Sequence, residues 1–459
     1  MKSIAEVLED FKTLSTALKA ELEQFLAPFA AVLPDARYRQ SLLQFVPAIL
    51  AARSPQPARA AAYAPDRPAG ARALAKRFYN LLRTGAFAHQ DWLEPLYADA
   101  RQAVAEMRRR RILVALDPVY LEKPYARKQE GLSIVLKNRP PGSLPERKPR
   151  KTRGYPTLFG LVLNGAWPAV VYQRLFSYTT ADFVSQPQEW MRAFQSIRRN
   201  LPGQRVCVVA DAEADDQKLW RAARGERLDF VFRATKQRNI EVWNAHARRW
   251  EAEELQSLAR VMAGREQFKT EFHHAGKVIP AQVSLDWFRF RLPDDRGRSY
   301  WAVVAETQIL AKQVGPEEER WLPPRYLVLV TPRPVRGRRG AKQVYADWCS
   351  KGRIEPFYRF LQEEGVQVED FLVRKLERIR RVVLLVVLGA LFVLRLASLW
   401  DPVLVRWLRR LGSDLGDTAL DRGGPYLLLR AVQRVLDADA LLDWMAKVPP
   451  PLEVLPGAT

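Results

Sequence analysis

Two short apolar runs, each followed by an aspartate, constrain the fold of this chain more than any other feature of its sequence. Ile-Leu-Val-Ala-Leu precedes Asp117, and Val-Cys-Val-Val-Ala precedes Asp211. Runs of this length, rich in β-branched residues, predict buried strands. The ends of strands are where α/β sheets place ligand and metal sites. We therefore expect a sheet with an acidic site at one edge, although a single aspartate after a strand is more often a turn or helix-cap residue.

The segments around the two aspartates predict the order of the sheet. Strand patterns at 132–137, 157–163 and 169–177 lie between them, followed by a helical pattern at 186–201. A second helix and a strand at 230–234 follow Asp211. The order β-β-β-α-β-α-β is typical of a mixed α/β sheet.

The regions before and after this core have different patterns. Residues 1–105 have helical spacing throughout, and the amphipathic segment 71–87 carries a basic side made of Arg72, Lys76, Arg77 and Arg83. Helices with such a face can enter a DNA groove, although a solvated basic face is about as good an explanation. Residues 236–335 contain short strand patterns and five tryptophans, and the chain beyond 336 is again mainly helical.

The charge of the chain indicates a polyanionic partner. Lys and Arg number 73 against 51 Asp and Glu, which gives a net charge of +22. Such a balance points most often to nucleic acid and less often to a membrane surface; the remaining alternative is a protein that is merely basic. Two cysteines and four histidines argue against a disulfide framework or a Cys-based zinc site. Any metal would be held by carboxylates, which favours Mg²⁺ or Mn²⁺.

No targeting or membrane segment is evident in the sequence. The N-terminal residues alternate charged and apolar side chains and lack the apolar stretch of a signal peptide. The most apolar run, 382–394, is interrupted by Arg395 and is too short to span a bilayer. We expect an intracellular protein with no membrane partner.

A third carboxylate follows in the segment 345–365, which has helical spacing of its aromatic and apolar residues. Glu355 lies there among three cations, Lys351, Arg353 and Arg359. Cations at this distance keep a carboxylate ionised. If Asp117, Asp211 and Glu355 converge, they could hold two divalent ions for in-line phosphoryl transfer.

The motifs around these three acids resemble those of DDE transposases of the insertion sequence four group, which are bacterial cut-and-paste enzymes. Leu-Asp-Pro-Val-Tyr-Leu-Glu-Lys-Pro-Tyr resembles the first-aspartate motif, at Asp117. Val-Val-Ala-Asp-Ala-Glu-Ala-Asp-Asp resembles the second, at Asp211, and Arg-Ile-Glu-Pro-Phe matches the third around Glu355. The resemblance covers roughly residues 40–400. It implies an RNase H-like mixed sheet interrupted by a β-rich insertion. Together with the helical patterns on either side, the expected fold is α/β with an all-helical N-terminal domain and a helical C-terminal tail.

The third motif departs from the family pattern, Tyr-x-x-Arg-x-x-x-Glu-x-x-x-x-x-x-Lys, at three positions. Trp348 stands at the Tyr position, Lys351 at the Arg position and Gln362 at the Lys position. In the family these residues grip the transposon end. Trp348 could still stack on a base and Lys351 could still meet a phosphate, but Gln362 has no charge.

The resemblance also implies further DNA contacts. Phe-Val-Phe-Arg-Ala-Thr-Lys-Gln-Arg resembles the strand whose Arg233 and Arg238 would contact the DNA backbone. Trp321 and Tyr326 lie closest to the usual place of a pocket for an extruded base, although such aromatic residues more often form the core of a small β-domain. The predicted DNA-contacting set is Arg233, Arg238, Tyr326, Trp321, Trp348, Lys351, Arg353, Arg359 and Gln362.

These observations predict the following regions: a helical DNA-binding domain at 1–105, the first part of an RNase H-like catalytic core at 106–235, a β-rich insertion at 236–335, the second part of the core at 336–400 and a helical C-terminal region at 401–459.

The predicted function is a DNA transposase with two Mg²⁺ or Mn²⁺ ions held by Asp117, Asp211 and Glu355. Its implied partners are double-stranded DNA, as terminal inverted repeats and as target, and a second copy of the chain in the synaptic complex. Its implied location is the bacterial cytoplasm, at the nucleoid. Two alternatives are a catalytically decayed, transposase-derived DNA-binding protein and an RNase H-like nuclease that does not transpose.

Overall fold

The computed structural model describes residues 4–64, 70–107, 111–136, 150–244, 246–262, 264–274, 277–310, 322, 324–362, 365–413 and 420–447. The chain divides into two compact units. The first comprises Met1–Pro95, Lys128–Glu130 and Phe357–Thr459, and the second comprises Leu96–Arg127 and Gly131–Pro356. The five predicted regions, whose boundaries differ from these, stay predictions.

The α-helices of the described residues are α1 (Ile4–Ala31), α2 (Ala36–Ala52), α3 (Pro57–Ala62), α4 (Ala71–Arg83), α5 (Leu93–Met107), α6 (Gln186–Asn200), α7 (Gln217–Gly225), α8 (Leu255–Val261), α9 (Gly337–Cys349), α10 (Glu355–Gln362), α11 (Leu376–Leu399), α12 (Pro402–Gly412) and α13 (Leu420–Lys447).

The strands are β1 (Ile112–Glu122), β2 (Ser133–Leu136), β3 (Lys151–Val162), β4 (Ala169–Leu175), β5 (Val206–Ala210), β6 (Asp229–Arg233), β7 (Asn239–Asn244), β8 (Arg249–Glu254), β9 (Glu266–His274), β10 (Lys277–Leu292), β11 (Asp295–Ile309) and β12 (Tyr326–Thr331). They form one mixed sheet, which confirms the α/β fold class.

The first strands of the second unit form a meander that is extended by parallel strands. β4 and β1 lie on opposite sides of β3, and both pair antiparallel with it. β5 then pairs parallel with β1, and β6 pairs parallel with β5. Parallel neighbours need a long crossover, which α6 supplies between β4 and β5 and α7 supplies between β5 and β6.

The strands of the predicted insertion continue this same sheet. β12 pairs antiparallel with β6, β11 with β12, and β10 with β11. The hairpin β7–β8 forms one end of the strand order and is joined to it by β10. The region is β-rich, as predicted, and its backbone hydrogen bonds extend the core sheet.

The two faces of the sheet are covered differently. On one face, β1 residues such as Val114 and Leu116 pack with Trp190 and Phe194 of α6 and with Trp220 of α7 in a continuous apolar cluster. Helix α9 contacts the sheet at β5, β6, β10, β11 and β12. Successive strand residues point to opposite faces, so the odd-numbered residues of β1 face away from the α6–α7 cluster.

The segment predicted as one helix around Glu355 is interrupted. Helix α9 ends at Cys349, a 3-10 helix covers Ser350–Ile354, and α10 begins at Glu355. Pro356 has no N–H to donate to the carbonyl of Gly352, so a continuous α-helix loses a hydrogen bond at this point. Glu355 therefore lies at a helix start.

Helix α11 forms part of the core of the first unit. Most of its side chains are buried, and it packs with α2, α4 and α13. It begins at Leu376, after residues 371–375, which have no helical structure. The helix contains the apolar run 382–394 and, at 24 residues, is long and apolar enough to cross a membrane by length and composition alone. Its most apolar stretch is 78% buried, as in a core helix, which makes it weak evidence for a membrane span.

Candidate active site

The register of β1 and β5 brings the two predicted aspartates together. Ile112 is opposite Val206 and Ala115 is opposite Val209, an offset of 94 residues. The same offset continued by two residues places Asp117 opposite Asp211. Because side chains alternate between faces, both carboxylates lie on the face away from the α6–α7 cluster.

The sequence predicted that Asp117 lies at the end of its strand, but in the structure it lies inside β1. The strand runs on to Glu122, with Asp117 opposite Phe159 of β3. Asp211 does follow its strand directly, since β5 ends at Ala210. Pairing of β1 with β5 extends only to Ala115, so Asp117 lies where the two strands separate.

Lys351 joins the three predicted carboxylates. Its Nζ lies 3.2 Å from Oδ1 of Asp117 and 3.8 Å from Oδ2 of Asp211. The charge of Glu355 acts on the same ammonium group. The Lys351 side chain is 12% exposed and that of Asp117 is 14% exposed, so a largely buried cation lies among carboxylates from two strands and a helix start.

The pKa shifts at this site reflect burial and crowding of negative charge. Burial raises the pKa of Asp117 to about 7, and the charges of Glu213 and Asp211 act in the same direction, whereas Lys351 opposes the shift. Burial alone would lower the pKa of Lys351, but Asp117, Asp211 and Glu355 together raise it. Negative charge thus predominates here, and a cation is favoured.

Arg233 holds the second carboxylate from the neighbouring strand. It is the last residue of β6, and its Nη1 donates to Oδ1 of Asp211 at 3.2 Å. The same oxygen accepts a hydrogen bond from the backbone N–H of Ala212 at 2.8 Å. In the structure the guanidinium of Arg233 orients Asp211, and its predicted contact with DNA stays a prediction.

The donor set fits a divalent cation by its chemistry. Carboxylate oxygens are the ligands that Mg²⁺ and Mn²⁺ prefer, and the Lys351 ammonium already occupies the position of a cation between Asp117 and Asp211. Within the described residues, no group of three or more His, Cys, Asp or Glu side chains is already arranged to hold a metal.

A buried acid that the sequence analysis missed fixes α9 beside this site. Asp347 is 1% exposed and accepts hydrogen bonds from Arg111 at 2.5 Å, Gln343 at 2.8 Å and Arg333 at 3.3 Å. Arg111 immediately precedes β1 and Arg333 follows β12. The signal in the sequence was an acid between apolar and aromatic residues, in Tyr-Ala-Asp-Trp-Cys.

The predicted DNA contacts near Glu355 lie in different environments. Arg353 is exposed, and its guanidinium donates to the carbonyl of Leu163 at 3.5 Å. Trp348 is only 9% exposed, so its ring packs inside the protein and is not available to stack on a base in this arrangement. Arg359 is half-buried, and the amide of Gln362 donates to Glu369 at 2.9 Å.

Two further predicted contacts are engaged within the second unit, and one lies outside the described residues. Arg238 pairs with buried Asp215 and stacks on Trp220 with its guanidinium carbon 4.3 Å from the ring centroid. This buried placement does not support a contact with the DNA backbone. Tyr326 donates its hydroxyl hydrogen to the carbonyl of Ala259, so it does not line an open base pocket here. Trp321 lies outside the described residues.

The basic side predicted for residues 71–87 is present on α4. Arg72, Lys76, Arg77 and Arg83 are all exposed, whereas Leu74, Phe78, Leu81 and Leu82 are buried. The helix ends at Arg83, before the end of the predicted segment 71–87. A basic face is therefore accessible in the first unit.

No protein-family model and no curated protein matches this chain. Among solved structures, a piggyBac transposase synaptic complex with hairpin DNA is similar over 81% of this chain, with 8% sequence identity and a TM-score of 0.38. The chain spans 61% of the length of that protein. A likeness this weak carries no argument about either fold or function.

Proposed function

We propose that this chain is a DDE-type DNA transposase of the insertion sequence four group, with an RNase H-like core. The observation that carries the proposal is the convergence of Asp117, Asp211 and Glu355 on one cation, since these are the three residues that the sequence motifs single out.

The strand order supports the RNase H-like part of the proposal. Three strands form an antiparallel meander, β4-β3-β1, and two parallel strands, β5 and β6, extend it through helical crossovers. With the short strand β2, which pairs with the start of β3, left aside, this is the order β-β-β-α-β-α-β that the sequence patterns predict for the core. Asp117 lies in β1, and Asp211 directly follows β5, the parallel neighbour of β1.

The proposed chemistry needs carboxylates that bind metal at neutral pH. When bound to Asp117, Asp211 and Glu355, two Mg²⁺ or Mn²⁺ ions would activate a hydroxyl and stabilise the leaving oxygen of a phosphodiester. The chain's own share is positioning. Arg233 and the N–H of Ala212 fix one oxygen of Asp211, and burial of Asp117 keeps water from competing for its oxygens.

DNA is the proposed substrate because the chain has a high positive charge and exposes part of it on α4. The net charge of +22 favours a polyanion, and α4 exposes four cations on one side. Arg353 adds an exposed cation two residues before Glu355. Binding of transposon ends and target, and pairing of two chains in a synaptic complex, are part of the same proposal.

A second candidate is a transposase-derived DNA-binding protein without catalysis. Two observations favour it: the described residues contain no side-chain group already arranged around a metal, and Gln362, at the family's Lys position, is hydrogen-bonded to Glu369. It predicts salt-sensitive DNA binding and no metal-dependent cleavage.

The test is a strand-resolved cleavage gel. Purified chain is incubated with the DNA that flanks its own gene, with Mg²⁺, Mn²⁺ or EDTA. Metal-dependent cuts at the element's ends, followed by joining to a target plasmid, support the transposase. Cuts without joined product indicate a nuclease, and binding without cuts indicates the second candidate.

Variants of the three acids tie any activity to the site. Asp211→Asn and Glu355→Gln should each lower the cleavage rate on the order of a thousandfold or more. Asp229→Asn is a matched control in the same unit, because Asp229 lies at the opposite end of β6 and pairs with Arg205. If Asp211→Asn cuts as fast as Asp229→Asn, the active-site assignment is wrong.

A further inference from the structure

The cation between the two strand aspartates is a lysine, and its environment is unusual for that side chain. The ammonium of Lys351 makes two ion pairs, to Asp117 and Asp211, while only 12% of the side chain is exposed. An unpaired ammonium in so buried a position would be strongly unfavourable. The same argument applies in reverse to the carboxylates, which repel one another once the ammonium is removed.

An ammonium and a divalent ion need the same oxygens. Nζ lies within 3.2 Å of an oxygen of Asp117 and within 3.8 Å of one of Asp211. Lys351 carries a compact charge with three donors on a flexible stem, so it can satisfy several carboxylate oxygens and can also withdraw. A divalent ion on those oxygens would lie beside the ammonium, and the two positive charges would repel each other.

We propose that Lys351 is the resident cation of this site in the free chain, and that a divalent ion binds only by displacing its ammonium group. The inference rests on the proposed function, because it takes Asp117, Asp211 and Glu355 to be the metal ligands. It assigns Lys351 a role in controlling when the site can bind a metal. The lysine stabilises the metal-free fold and weakens metal binding.

Arg353 provides a matched control for this role. It lies in the same 3-10 helix and carries the same charge, but it is exposed and its guanidinium contacts the carbonyl of Leu163. Removing either charge changes the net charge equally. Only removal of Lys351 takes an ion-pair partner from Asp117 and Asp211.

The first measurement is Mn²⁺ affinity without DNA, by isothermal titration calorimetry on the full chain. Lys351→Met and Lys351→Gln should bind Mn²⁺ about tenfold or more tightly than the wild type. Arg353→Met should stay within about twofold of the wild type. Equal affinities for Lys351→Met and wild type, or equal changes in Lys351→Met and Arg353→Met, would overturn the proposal.

The second measurement is thermal stability in EDTA and in excess Mn²⁺. Lys351→Met should melt below the wild type in EDTA, and Mn²⁺ should raise its melting temperature by more than it raises that of the wild type. A variant that folds only with Mn²⁺ present supports the proposal. A variant as stable as wild type in EDTA contradicts it.

Asp211→Asn separates this inference from the proposed function. If Asp211→Asn abolishes Mn²⁺ binding but Lys351→Met does not tighten it, the metal site stands and the role of Lys351 is wrong. If Mn²⁺ binds equally well to wild type and Asp211→Asn, the carboxylates are not the metal ligands, and both proposals fail.

Discussion

The buried glutamate that joins α6 to the meander offers a sharp test of the fold. Glu189 is fully buried, and its two oxygens accept from Arg174 of β4 at 2.5 Å and from Arg192 of α6 at 2.6 Å. Burial alone would lower the pKa of Arg174, and Glu189 raises it. We predict that Glu189→Gln is strongly destabilising, because it leaves two guanidinium groups beside a neutral amide.

The loss of stability in Glu189→Gln can be judged from the exposure of Arg174 and Arg192. Removing one member of a buried ion pair costs about 3–5 kcal/mol. The side chains of Arg174 and Arg192 are 28% and 31% exposed. Water can therefore partly solvate them, and the lower value of about 3 kcal/mol applies. At roughly 2–4 °C per kcal/mol for a unit of this size, the melting temperature should fall by roughly 6–12 °C.

Differential scanning calorimetry is the suitable assay, because two compact units can unfold in separate transitions. The matched control is Glu306→Gln, the same substitution in the same unit. Glu306 pairs with Arg325 at 3.1 Å, but their side chains are 50% and 84% exposed, and an exposed pair contributes about 0–1 kcal/mol. Equal shifts for the two variants would refute the reasoning.

Three further predictions concern other parts of the chain. Gly154→Ala should destabilise the β1–β3 pairing by about 1–3 kcal/mol in urea unfolding, since a Cβ there would lie 2.3 Å from the carbonyl oxygen of Leu121. Burial alone would raise the pKa of Glu377, but hydrogen bonds from His89 lower it to about 2. The ionised Glu377 therefore stabilises the fold fully above about pH 4.5, and this contribution is lost as the pH falls toward 2. The difference in melting temperature between wild type and Glu377→Gln should close over that range. Lys76→Glu should weaken DNA binding and reduce the slope of log affinity against log salt by about 0.9 or more, whereas an unchanged slope would exclude this face of α4 from the interface.

Local patterns predicted the strands well because buried strands are apolar whatever surrounds them. The helix predicted at 186–201 is α6, Gln186–Asn200, and the strand predicted at 230–234 is β6, Asp229–Arg233. The spacing of 94 residues between Asp117 and Asp211, visible in the sequence, equals the register offset of β1 and β5. Their proximity was therefore implied by the pattern of strands once the two runs were taken to be neighbours.

The length of β1 could not be predicted, since it depends on a partner distant in the sequence. The apolar run ends before Asp117, and Pro118 has no backbone N–H to donate to a neighbouring strand. In the structure β1 is paired with β3 on one side, while its pairing with β5 has ended at Ala115. A proline is tolerated there because no ladder bond to β5 is required.

The sequence predicted neither the 3-10 segment before Glu355 nor the burial of Arg238. Both depend on contacts that a local pattern does not contain. Helical spacing continues through 345–365, and only the geometry around Gly352 and Pro356 produces a 3-10 segment. Arg238 follows a strand and matches a basic motif, yet Asp215 and Trp220 bind it in the interior. Side-chain partners from other elements decide such cases.

For Lys351, the sequence and the structure indicate two different contacts. Its position in the third motif predicts a contact with a DNA phosphate, whereas the structure shows it paired with Asp117 and Asp211. One ammonium cannot make both sets of contacts at once. If a metal displaces it, the buried cation needs a new anion, and a phosphate of bound DNA would supply one. Metal binding and phosphate binding would then favour each other, and because such coupling is reciprocal, DNA should strengthen Mn²⁺ binding to the wild type more than to Lys351→Met.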